Sequence, residues 1–133
     1  MNLMTIGQIA QQTGIAVPTI RFYEKQGLIP PPRRSPSGYR QFDPDAIRRL
    51  RFIRKAKKLG FSLDDINGLM SLQRVPTASA ADVRDRVLGK IAEITQKIEE
   101  LGRMRDALTH LAESCDGEAD LEDCPILDSL NRP

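Results

Sequence analysis

The sequence predicts a mainly α protein: an N-terminal winged helix-turn-helix, then a long helix and a short cysteine-bounded tail. Three observations carry that prediction. Two short helical stretches, each with its own start and stop signals, flank Gly14. A proline- and arginine-rich segment follows that cannot be helical. Beyond it, apolar residues recur every three or four positions from Val83 to Leu111.

The first helix opens at Thr5-Ile-Gly-Gln8, a capping-box pattern in which hydroxyl and amide side chains satisfy first-turn N–H groups. Ile6, Ile9 and Ala10 share one face, and Gly14 ends the run. Pro18 suits the first position of a second helix, where its missing N–H costs nothing. Ile20, Tyr23 and Glu24 continue at helical spacing until Gly27. Residues 28–42 hold four prolines and a Ser37-Gly38 turn, which predicts a small hairpin whose tip carries Arg33, Arg34 and Arg40. Asp43-Pro44 reads as an N-cap and first helical residue. The helix it opens buries Ile47, Leu50, Ile53 and the Lys57 stem, with Arg48, Arg49, Arg51, Arg54, Lys55 and Lys58 outside. Gly60 closes it, and Ser62 to Asp65 cap another helix running to about Leu72. The expected division is residues 1–72 as a winged helix-turn-helix head, 73–79 as a linker, 80–112 as a long helix and 113–133 as a loop with a short helix.

Charge is split between the two parts. Residues 1–60 carry twelve Lys/Arg against Glu24, Asp43 and Asp45, a balance of +9. Residues 61–133 carry eight against fifteen acids, a balance of −7. A basic half suits a polyanion, and the acidic half has another task. The long helix, roughly 50 Å at 1.5 Å per residue, has more apolar stripe than a 60-residue head can cover. A partner helix is expected, hence a homodimer through a coiled coil. No apolar run approaches the roughly 20 residues of a membrane span. The first residues lack a secretion signal, and two cysteines make no disulfide scaffold, so a cytoplasmic location is expected.

Catalysis has little support. The single histidine, His110, sits near the end of the long helix without a nucleophile or base beside it in the pattern, and no glycine-rich phosphate loop exists. Cys115 and Cys124 are different. They bracket eight residues, Asp-Gly-Glu-Ala-Asp-Leu-Glu-Asp, and Pro125 follows. By spacing they are a disulfide, two unrelated small residues, or a thiolate pair for a soft metal ion. Two thiols fall short of a four-ligand structural zinc site.

The whole chain resembles the MerR family of bacterial transcription activators. The resemblance is carried by Thr5-Ile-Gly-Gln-Ile-Ala, Thr19-Ile-Arg-Phe-Tyr-Glu-Lys-Gln-Gly-Leu, Ser37-Gly-Tyr-Arg, Leu50-Arg-Phe-Ile-Arg-Lys-Ala and Leu59-Gly-Phe-Ser-Leu. It implies an antiparallel coiled-coil dimer on an inverted-repeat operator in double-stranded promoter DNA. An effector then makes the dimer distort the promoter so that RNA polymerase initiates. The ending is similar to the metal-sensing branch and implies that Cys115 and Cys124 ligate the effector. Members that sense divalent zinc, cadmium, mercury or lead carry a third cysteine at the start of the dimerisation helix, and residues 77–83 hold none. The expected ion is therefore Cu(I), with Ag(I) or Au(I) as equivalents, since two thiolates suit a monovalent d¹⁰ ion. The eight-residue loop is as long as in the mercury and zinc sensors, which keeps a divalent ion as the alternative. Seven acids between Glu113 and Asp128 offer oxygen atoms, though a solvated acidic tail is the plainer reading.

The same resemblance, with the basic charge, assigns DNA contacts. Thr19, Arg21 and Tyr23 lie on the recognition helix that enters the major groove. Arg34, Tyr39 and Arg40 on the wing, with Arg54 and Lys57 on the next helix, match backbone-contacting positions. Two other readings stand beside this one: a redox-responsive regulator with a reversible Cys115–Cys124 disulfide, and an architectural coiled-coil protein that binds nucleic acid without regulating it.

Overall fold

The computed structural model describes residues 3–133, so the secondary-structure and signal readings that fall on the first two residues lie outside it. Two compact units divide the chain, the first ending at Arg86 and the second spanning Val87–Pro133.

In the first unit, helix α1 (Ile6–Thr13) begins with the expected box: the Gln8 N–H donates to Thr5 Oγ1 at 3.2 Å and the Thr5 N–H to Gln8 Oε1 at 2.9 Å. It stops at Gly14, whose φ of 72° is left-handed and whose N–H donates to the Ala10 carbonyl. Helix α2 (Val17–Lys25) carries Pro18 in its first turn and buries Ile20 and Tyr23. Strands β1 (Arg33–Arg34) and β2 (Arg40–Gln41) pair antiparallel, Arg33 opposite Gln41 and Arg34 opposite Arg40. The three arginines thus stand on the strands. The tip goes to Pro36, Ser37 and Gly38, because a reversal this tight needs a glycine, here with φ of 88°.

Asp43 caps helix α3 (Asp45–Lys58) as expected, accepting from the Asp45 N–H at 2.9 Å. Leu50 and Ile53 are fully buried, and Ala56 follows them into the core. Lys57 is exposed instead, since the three-residue step from Ile53 selects position 56. Helix α4 (Leu63–Leu72) opens with a reciprocal Ser62–Asp65 box and buries Ile66, Leu69 and Met70. Each helix of this unit up to α4 supplies at least one side chain to a single core centred on Ile9, Ile20, Leu50, Ile53 and Ile66. Phe42 closes the core from the hairpin side, where its backbone exchanges two hydrogen bonds with Met4.

Helix α5 (Ala80–Glu113) is one uninterrupted run of 34 residues, none buried. Its apolar stripe is left open: Val83, Val87, Ile91, Ile94, Ile98, Leu101, Met104 and Leu108 all remain substantially exposed. A 3-10 turn at Leu121–Asp123 leads into helix α6 (Pro125–Asn131). Among the described residues no helix is long and apolar enough to cross a membrane.

Candidate metal centre and nucleic-acid interface

Cys115 stands just past the C-terminus of α5, its N–H donating to the Ala112 carbonyl. Gly117 directs its N–H at Cys115 Sγ, 3.4 Å away, and Asp116 accepts from the Glu118 N–H at 2.9 Å. The loop therefore turns back on itself immediately after α5. At its far end Cys124 is the N-cap of α6, with Pro125 in the first turn. This placement brings the sulfur of Cys124 to the unsatisfied N–H groups of the helix start. The Leu127 N–H is the main influence holding the Cys124 thiol below its ordinary value; partial burial opposes it, and the Ile126 N–H and the Cys115 thiol assist. Cys115 counting among these influences, the two cysteines, with eight residues between them in the loop, lie near each other. Both are free thiols and both are partly buried.

Two neighbouring sulfurs, one with its thiol lowered, are a donor set for a soft cation. Among the described residues no group of three or more His, Cys, Asp or Glu side chains is gathered as a metal site. The loop acids point their charge to solvent, with every acid from Asp116 to Asp123 exposed. His110 is exposed on α5. At the start of α5, Ser79 and Asp82 are occupied with capping, the Ser79 N–H donating to Asp82 Oδ2 at 2.8 Å.

The other candidate residues lie in the first unit. On α2, Arg21 is exposed and Thr19 is partly exposed in the first turn. Tyr23 is 9% exposed, so only a narrow edge of it is open to a partner. Phe22, which the charge pattern did not single out, is 47% exposed beside Arg21, its ring 6.1 Å from that of Tyr23. Burial of Ile20 and Tyr23 three residues apart forces Phe22 outward, so the helical period alone holds that signal.

On the hairpin, Tyr39 is exposed and Arg34 donates to the Gly38 carbonyl at 3.3 Å, bracing the turn. Arg40 pairs with the mostly buried Glu24 at 3.4 Å and so ties β2 to α2. Glu24 was read only as part of the helical spacing. On α3, Lys57 is exposed, while the Arg54 guanidinium donates to the Thr13 carbonyl at the end of α1. Between α3 and α4 lies a cleft of about 510 Å³ over Phe52, rimmed by Arg48, Arg49, Arg51, Lys55 and Arg74. Asp45 neutralises Arg48 and Arg49 in part, at 2.6 and 3.1 Å. The remaining surface is strongly cationic, which suits a phosphate backbone and repels metal cations.

Comparison with known proteins places these features in a family. Residues 4–73 match the family described as "MerR HTH family regulatory protein", and residues 47–111 match "MerR, DNA binding". The HTH-type transcriptional regulator CueR of Salmonella typhimurium is 44% identical over 96% of this chain and 92% of its own length. The mercuric resistance operon regulatory protein of Bacillus cereus is 38% identical, over 94% and 95%. Among solved structures, the transcription regulator PbrR691 from Ralstonia metallidurans CH34, in complex with lead(II), superimposes with a TM-score of 0.86. It is 35% identical, with 96% of this chain and 98% of that one covered.

Proposed function

Because the chain belongs to the MerR family of DNA-binding transcriptional regulators, and is not an enzyme, we propose that it is a metal-responsive activator. It acts as a cytoplasmic homodimer on an inverted-repeat promoter site. Cys115 and Cys124 hold the effector. The observation that carries this reading is the placing of two free, partly buried thiols at the two ends of one loop, Cys115 just past α5 and Cys124 at the start of α6, with the Cys124 thiol lowered from its ordinary value. Cys115 and Cys124, each having lost its thiol proton, would hold a soft ion from the two ends of the loop. Two sulfur donors favour Cu(I), Ag(I) or Au(I). A divalent ion is the second reading, favoured by the relatives named for mercuric resistance and solved with lead(II).

In this scheme residues 1–72 form the DNA-binding head, 73–79 a linker, 80–112 the dimerisation helix and 113–133 the sensing loop with its terminal helix. The open stripe of α5 supports pairing with a second copy. Arg21 and Thr19 face base edges, with Tyr23 contributing its open edge, while Arg34, Tyr39, Arg40 and Lys57 hold the backbone. A two-fold dimer then reads a two-fold site. Metal reaches transcription by RNA polymerase only through contacts that differ between two dimer states, since a ligand indifferent to the states shifts neither.

The test is a competition titration of the reduced dimer with Cu(I) and Zn(II), repeated on Cys115→Ala and Cys124→Ala. Tight Cu(I) uptake, weak Zn(II) uptake and loss of both in each variant are expected. Tight Zn(II) uptake moves the protein to the divalent reading. Uptake of neither, with peroxide-dependent promoter activation, moves it to the disulfide switch.

A further inference from the structure

We infer that Arg54 is a positioning residue that holds the turn between α1 and α2, and through it the orientation of the recognition helix, rather than a contact to DNA phosphate. The inference rests on α2 being the helix that reads DNA.

A helix ends with carbonyls that lack intrahelical donors and with a negative dipole end. At the end of α1, Thr13 is 5% exposed and already held: its hydroxyl donates to the Ile9 carbonyl at 2.8 Å and accepts from the Ile15 N–H at 3.3 Å. The Thr13 carbonyl takes its donor from Arg54, 41 residues away in sequence. A guanidinium on a helix C-terminal carbonyl is a charge-assisted bond at the end of the helix that favours positive charge. Arg54 itself is exposed on α3, next to the fully buried Ile53 that fixes its backbone.

The turn is built to admit this side chain. Gly14 has φ of +72°, and a Cβ there would strike Nη1 of Arg54. Position 14 needs glycine for its backbone conformation, and the guanidinium tip rests against the open side that the missing Cβ leaves. Only three residues separate Thr13 from the start of α2, so displacement of this carbonyl is passed directly to α2. Arg54 is a strut from α3 to that turn.

The experiment uses the full chain and two duplexes: one selected by the protein from a random pool, and a scrambled one of equal length and composition. Affinity is measured against salt concentration, well below the melting temperature of each variant. Arg54→Gln is expected to weaken the selected duplex at least tenfold, leave the scrambled duplex within twofold, and keep the salt slope. Arg54→Lys, which retains a donor for the carbonyl, recovers part of the discrimination. Lys57→Gln, the phosphate-contact control, weakens both duplexes and lowers the slope by about 0.9. Equal loss on both duplexes with a slope reduced by about 0.9 overturns the inference. Arg21→Ala checks the premise separately: if selected-duplex binding survives it, the recognition-helix reading fails whatever Arg54 does.

Discussion

Ile98 lies midway along α5 and is 63% exposed in the single chain, so most of its side chain is available to a partner helix. Replacing it with alanine leaves the first unit untouched, since Ile98 belongs to the second. Full burial of an isoleucine is worth about 1.5–3 kcal/mol. The exposed fraction scales this to about 1–2 kcal/mol per copy, and two-fold symmetry doubles it to about 2–4 kcal/mol per dimer. At 1.4 kcal/mol per tenfold, the dimer dissociation constant rises roughly 30-fold to 1,000-fold. Alanine keeps the Cβ, which favours the lower half of that range, while an unfilled hole in the interface acts the other way. Sedimentation equilibrium over a concentration series reads the constant directly, and circular dichroism checks that helix content survives at concentrations where the dimer is kept. A change smaller than about threefold would refute the assignment of this stripe as the dimer seam. A parent chain that sediments as a monomer throughout would do the same.

Two further outcomes follow from local geometry. The Leu127 N–H lowers the Cys124 thiol, so thiolate appears at lower pH than in an unstructured thiol, whose ordinary value is 9.0. In Cys115→Ala, iodoacetamide labelling of Cys124 should rise with pH to a midpoint below that value, and a midpoint at or above it would contradict the N-cap geometry. Ser62→Ala removes one acceptor of the capping box of α4, and a loss of about 1 kcal/mol is expected in urea unfolding of the metal-free protein. No change in the unfolding midpoint would show that solvent replaces the box without cost.

Local chemistry explains what was readable in the sequence. Thr5, Ser62 and Asp43 announced helix starts because their partners lie within three residues. Gly14 announced an end because few other residues take its backbone angle. Pro125 beside Cys124 suggested a short closing helix, but a residue pattern does not show that the first-turn N–H groups lower the Cys124 thiol. Pairings across long separations stayed hidden. Arg54 and Arg40 each read as a DNA backbone contact, while the fold also engages one with the Thr13 carbonyl and the other with Glu24. Lys57 and Tyr23 show how a shift of one helical position changes which residue is inside. Ala56 is buried where Lys57 was expected, and Tyr23 sits with Ile20 in the core rather than wholly on the open face.

The double duty of Cys124 bears on how a metal-blind protein should be made. Its sulfur starts α6 and is also one of the two proposed donors. Serine caps a helix far better than alanine does. Cys124→Ser therefore removes a soft donor while reinforcing the terminal helix, and a folded terminus without an effector is not the same as an empty sensor. Cys124→Ala removes the donor and adds no capping oxygen. Comparing promoter output from the two substitutions separates what the ion contributes from what an ordered tail contributes by itself.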